Sequence, residues 1–154
     1  MRSNSTQSSV DRNSVLEVAP ISRVERFQPF SLTGQVVLGE QRGTELGFPT
    51  ANLALSDSAP IPAPGVYACR AQLTDGVVYP AATNVGVRPM FDSRLGMLVE
   101  AHLVGFDGDL YGQRLRLQFL QFLRPEQVFA TISDLLERIA LDVAATEAIC
   151  RAAE

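Results

Sequence analysis

Residues Gly65 to Val85 read GVYACRAQLTDGVVYPAATNV, and this stretch decides the fold class. Gly65 opens a strand over Val66–Leu73, Thr74-Asp75-Gly76 is a hairpin turn, and Val77–Val85 returns as the partner. On either side of it, Ser31–Leu38 reads as an earlier strand ended by Gly39, and Leu98–Phe106 as a later one ended by the turn Asp107-Gly108-Asp109. Gln113–Leu123 is a long strand with a change of phase: Leu115, Leu117 and Phe119 alternate with Arg114, Arg116 and Gln118, then Leu120 and Phe122 take the apolar role. A bulge near Phe119-Leu120, or burial of both faces, explains the change. Short strands joined by tight turns, with no helices between them, predict a closed or nearly closed β-barrel. The last segment differs. Ser133–Ala148 sets Leu135, Leu136, Ile139 and Val143 at helical spacing, with Ser133 as N-cap and Asp134 at the positive helix end. The expected class is therefore all-β, with one C-terminal helix on the barrel.

The 154 residues suit one domain, and the net charge of −4, with arginine as the sole basic residue type, disfavours nucleic acid and anionic membrane surfaces as partners. No apolar stretch is long enough to span a bilayer. Residues 1–28 read as a flexible tail and linker, and Met1–Ser9 lacks the apolar segment of a signal peptide. A cytoplasmic monomer is expected, with its barrel domain over residues 29–154. Cys69 and Cys150 form no Cys-x-x-Cys pair and read as two reduced, buried thiols.

Four elements carry candidate chemistry. The loop Gly39–Gly47 holds three glycines around Arg42, a backbone suited to approach phosphate or simply to turn, and without lysine it is no Walker A loop. In Gly47-Phe48-Pro49-Thr50-Ala51-Asn52, the extended spacing turns Thr50 and Asn52 to one side, a hydroxyl and an amide oxygen fit for Mg²⁺. Spacing alone favours a Thr/Asn pair that only hydrogen-bonds a neighbouring turn. In Val99-Glu100-Ala101-His102-Leu103, Glu100 and His102 share a face; Glu100 is a candidate general base or part of a solvated face, and His102 reads as a structural hydrogen-bonding residue. Arg124-Pro125-Glu126-Gln127-Val128-Phe129 could hold a planar ligand, or could supply a core plug and a surface charge.

The order of these motifs resembles the riboflavin kinase family. Gly34-Gln35-Val36-Val37, Leu46-Gly47-Phe48-Pro49-Thr50-Ala51-Asn52-Leu53, Pro64-Gly65-Val66-Tyr67, Asn84-Val85-Gly86-Val87-Arg88-Pro89, Val99–Leu103, Asp109-Leu110-Tyr111-Gly112 and Leu123-Arg124-Pro125-Glu126 carry the resemblance over residues 29–145. It implies a six-stranded Greek-key β-barrel with a C-terminal helix. It implies a kinase moving the γ-phosphate of ATP to the 5′-hydroxyl of riboflavin, giving FMN and ADP with Mg²⁺. Glu100 would be the base. Thr50 and Asn52 would help hold Mg²⁺–ATP, joined at the nucleotide by Gly39, Arg42, Gly43, Leu103 and Tyr111. Arg124, Gln127 and Phe129 would border the flavin. Gly39–Gly47 and Gly86–Gly96 would be flaps.

The chain departs from the family pattern at Thr44, where a basic residue is usual, and at Met90, where threonine is frequent. These departures leave a flavin- or nucleotide-binding module of the same fold as the rival reading. The resemblance places an adenylyltransferase domain ahead of the kinase in many bacteria. With His102 as the one histidine, this chain offers no His-x-Gly-His signature for it, so FMN is the expected product.

Overall fold

The computed structural model describes residues 30–38, 47–56, 59–87 and 97–154. Expectations for the tail, for Gly39, Arg42, Gly43 and Thr44, and for Met90 lie outside them. The strands are β1 (Phe30–Val37), β2 (Ala51–Ala54), β3 (Gly65–Gln72), β4 (Val78–Val87), β5 (Met97–Leu103) and β6 (Arg114–Arg124), followed by helix α1 (Ile132–Ala152). They close into a barrel in the order β1-β2-β5-β4-β3-β6, every pair antiparallel. Strand β6 returns beside β3 while β3, β4 and β5 run as successive hairpins, which is the Greek-key order. Closure pairs every strand on both sides and removes the exposed sheet edge.

Alternation builds the core. Leu32 and Val36 of β1, Val99, Ala101 and Leu103 of β5, and Leu115, Leu117 and Phe119 of β6 point inward and are buried. The Phe119 ring stacks on Phe30 at 5.0 Å and meets Tyr67 edge-on at 5.3 Å. Burying each such side chain contributes about 1.5–3 kcal/mol.

The phase change in β6 is a bulge. Cys69 faces Phe119 and Ala68 faces Gln121, so Leu120 is an extra residue without a partner. A second shift leaves Leu123 unpaired between Phe122 and Arg124. Together they keep Phe122 against the core while β6 runs on to carry Arg124. Strand β5 ends at Leu103, short of the expected Phe106, because Gly105 adopts φ 86° and the chain turns there.

The helix begins earlier than its sequence suggests. Thr131, not Ser133, is the N-cap: its backbone is extended and its hydroxyl accepts from the Asp134 N–H at 3.0 Å. Asp134 keeps its expected place in the first turn. Along α1 the most deeply buried positions are Asp142, Thr146 and Cys150, one turn apart, whereas Leu135, Leu136, Ile139 and Val143 are half-buried beside them. The helix packs on β3, β4 and β6. There the Cys150 thiol donates to the Cys69 carbonyl at 3.3 Å, so packing joins two cysteines that are remote in the chain. Both are unoxidised, and burial pushes both thiols up in pKa. Among the described residues, no helix is long and apolar enough to cross a membrane.

Candidate active site

Directly opposed residues on paired antiparallel strands share a face. Asn52 of β2 lies opposite Glu100 of β5, and Glu100 lies opposite Asn84 of β4. Asn84 in turn faces Val66 of β3, and Val66 faces Arg124 of β6. These residues form one row across the outside of the barrel, because their chain neighbours Ala51, Thr83, Val85, Val99 and Ala101 are the ones buried within. Glu100 is half-buried, whereas Asn52 is only 6% exposed although it points outward.

His102, two residues along β5, is engaged by the segment that leads into β2. Its Nδ1 lies 2.7 Å from the Pro49 carbonyl, and the Phe48 ring meets it edge-on at 5.5 Å. A carbonyl only accepts, so Nδ1 is the protonated donor. The contact ties β5 to the backbone immediately before Thr50.

A cleft of about 240 Å³ opens between the end of β1, the start of β2 and the turn after β5. Thr50, Asn52, Leu103 and Tyr111 all line it. Asn52 belongs to both features, lining the cleft and standing beside Glu100. Asp107 and Asp109 also line the cleft and were not picked out as site residues. Asp109 Oδ1 accepts from the Tyr111 N–H at 2.9 Å, which shapes the turn that presents Tyr111.

At the other end of the row, Arg124, Gln127 and Phe129 also converge. The Arg124 Nη1 donates to Gln127 Oε1 at 3.2 Å, and its guanidinium carbon lies 5.8 Å from the centre of the Phe129 ring. Arg124 is no surface charge: it pairs with Asp142 at 2.7 Å, with side chains 12% and 5% exposed. Phe129 is half-buried and no core plug.

Glu126 enters between the two ends. Asn84 Nδ2 donates to Glu126 Oε2 at 3.3 Å, over Gly86, where a Cβ would stand 2.6 Å from that oxygen. Neither Asn84 nor Glu126 was assigned a role from sequence. The Asn-x-Gly spacing, an amide beside a residue without a side chain, was the available signal.

Among the described residues, no group of three His, Cys, Asp or Glu side chains is placed to hold a metal ion alone. Thr50 and Asn52 offer neutral hard oxygens at the cleft. That set fits an ion such as Mg²⁺, which takes few protein ligands and completes its shell with substrate phosphates and water.

The family model and the curated relatives point to one family. The family model described as Flavokinase: Riboflavin kinase matches residues 26–150. The bifunctional riboflavin kinase/FMN adenylyltransferase of Pseudomonas fluorescens is 38% identical over 144 residues, covering 92% of this chain and 46% of that protein. The protein of the same description from Bacillus subtilis (strain 168) is 35% identical over 117 residues, 75% of this chain and 37% of its own length. The chain thus spans less than half the length of these curated relatives. Among solved structures, riboflavin kinase from Trypanosoma brucei aligns with a TM-score of 0.60 at 28% identity, covering 81% of this chain and 82% of that one. A Streptococcus pneumoniae chain described as a macrolide-efflux protein aligns with a TM-score of 0.72 at 28% identity, over 91% of this chain and 46% of its own.

Proposed function

The chain belongs to the riboflavin kinase family, and from that premise we propose that it transfers the γ-phosphate of ATP to the 5′-hydroxyl of riboflavin, yielding FMN and ADP. The observation that carries this reading is the order of the outer row. Thr50 and Asn52 stand at the cleft, Glu100 is next, the Asn84–Glu126 pair follows, and Arg124, Gln127 and Phe129 close the other end. That is the order of phosphate, acceptor hydroxyl, polyol and planar ring along the reacting substrates. At about 4.8 Å per strand, Glu100 and Arg124 lie roughly 14 Å apart, a span suited to an elongated acceptor.

In this reading Glu100 takes the proton of the 5′-hydroxyl as its oxygen bonds to the γ-phosphorus and the bond from that phosphorus to the ADP oxygen breaks. Asn52 and Asn84 flank the carboxylate and orient it and the hydroxyl. Thr50 and Asn52 would hold Mg²⁺, whose charge offsets that of the phosphates when bound. Leu103 and Tyr111 offer apolar and aromatic surface to the nucleotide base. Gly39, Arg42 and Gly43 keep the phosphate-loop role that the family resemblance gives them. Phosphoryl transfer asks mostly for positioning and electrostatics, which such a row supplies.

The test is to mix the purified chain with Mg-ATP, with and without riboflavin, and follow ADP and flavin products. Riboflavin-dependent ADP release with FMN as the product is expected. Tight riboflavin binding without ADP release would favour the binding-module reading instead.

A further inference from the structure

Asp142 has no role in the proposed transfer, yet both of its carboxylate oxygens are bonded by one guanidinium. It lies on α1, is 4% exposed, and receives Arg124 through Nε (3.0 Å to Oδ1, 3.2 Å to Oδ2) and Nη2 (2.7 Å to Oδ2). The opposite side of the guanidinium donates from Nη1 to the Pro125 carbonyl at 3.1 Å and to Gln127 Oε1 at 3.2 Å. Arginine has five N–H donors in a rigid fork. Here Nε, one hydrogen of Nη2 and both hydrogens of Nη1 are engaged, so a single N–H remains. An arginine so occupied, its charge met by a carboxylate, has little left with which to grip an anionic ligand. It serves instead as a rigid bracket, with one edge on the helix, the other on the segment after β6, and Phe129 near its face.

That segment needs a bracket. Residues 125–129 have no regular structure; Pro125, Glu126, Gln127 and Val128 are exposed, Val128 at 99%. Little of the segment's own surface is buried to place it. A buried ion pair is also a poor device for stability alone, since apolar residues of similar volume often do as well. Its better use is to define one geometry, and this geometry sets Gln127 and Phe129 beside the ring end of the row.

We propose that Asp142 is a positioning residue for the flavin-ring end of the site: acting through Arg124, it fixes residues 125–129 so that Gln127 and Phe129 meet the planar ligand. The proposal rests on the kinase reading for the identity of that ligand.

The test uses Asp142→Asn, Asp142→Glu, Arg124→Ala and the double variant Asp142→Asn/Arg124→Ala in the whole chain. Riboflavin Kd is read from flavin fluorescence, KM for each substrate from turnover, and backbone amide exchange over residues 126–131 from ligand-free protein. Asp142→Asn should raise riboflavin Kd and KM by about ten-fold, as for one lost charge-assisted contact, and leave the KM for ATP within about two-fold. Amides 126–131 should exchange faster. Asp142→Glu should recover part of the affinity, and the double variant should bind no worse than Arg124→Ala, because the two act as one unit. Asp142→Glu carries the test if Asp142→Asn does not fold. A lower melting temperature with unchanged riboflavin Kd and unchanged exchange would reduce Asp142 to a structural residue and overturn the proposal. So would strictly additive losses in the double variant. If the wild-type chain bound no riboflavin, the kinase reading would fall, while exchange in the ligand-free variants would still decide whether Asp142 positions the segment.

Discussion

The two ends of the outer row are built on opposite principles. At the β2–β5 end, Thr50, Asn52 and Tyr111 line an open cleft, and Tyr111 is 58% exposed. At the β6–α1 end, Arg124 and Asp142 are locked to each other with little exposure to water. One end presents polar atoms to whatever enters, and the other spends its polar atoms on internal geometry. The same residue types, a carboxylate and its polar neighbours, thus do different work according to solvent access and bonding. Substitutions of Thr50 or Glu100 at the first end should change rates without changing stability. Substitutions at the second should change stability and ring affinity together.

The largest effect that would break this contrast belongs to the open end. Glu100→Gln should lower kcat by about 10²–10⁴, as for loss of a positioned base, with riboflavin Kd and melting temperature nearly unchanged. His102→Asn should retain most of kcat and lose stability, because the ring only ties Pro49 in place. Steady-state rates and thermal melts of the two variants check the pair together.

At the locked end, Asp142→Ala strands the Arg124 guanidinium in a site only 12% exposed. It should cost about 3–5 kcal/mol in a denaturant titration, the usual result of breaking a buried pair from one side. Equal destabilisation by Glu100→Gln would erase the distinction between the ends.

At the cleft, Thr50→Ala should raise the KM for Mg-ATP by roughly ten-fold or more, in line with about 1.5–3 kcal/mol for a contact to a charged group. The KM for riboflavin should move less. Parallel increases in both constants would mean that Thr50 shapes the whole site and not its nucleotide end.

A smaller signature of the locked end is its response to alkali. Burial raises the Cys69 thiol pKa in the folded protein, so the unfolded chain ionises first as pH rises. The thiol's contribution to stability is whole below the ordinary thiol range and is lost above it, at about 1.4 kcal/mol per pH unit beyond pH ~9. Cys69→Ala should flatten that loss in denaturant titrations between neutral and alkaline pH. Smallest of all, Thr131→Ala removes the helix cap and should cost about 1 kcal/mol, with no change in either KM.

Much of this contrast was legible in the sequence, and the reasons are specific. The hairpin around Thr74-Asp75-Gly76 announces itself through local turn chemistry, and the bulge at Leu120 through a visible change of phase. Strand alternation pairs Thr50 with Asn52 and Glu100 with His102, and the family resemblance joins Thr50, Asn52 and Glu100 into one site. What stayed hidden depends on partners distant in the chain. Asp142 sits on an amphipathic helix, where a charge ordinarily faces water; its partner Arg124 is 18 positions away on β6, and only packing joins them. Glu126 and Asn84 lie 42 positions apart, and the glycine that lets them meet belongs to neither. The helix start was misplaced because Thr131 and Ser133 are both able caps, and the choice between them rests on whether Ile132 joins the first turn.

The destination of one phosphoryl group tests the kinase reading most directly. Incubating the chain with Mg-ATP labelled at the γ-phosphate and riboflavin, then separating the flavins, should place label in FMN in step with ADP, with no FAD formed. Label released only as inorganic phosphate, with riboflavin recovered unchanged, would contradict it.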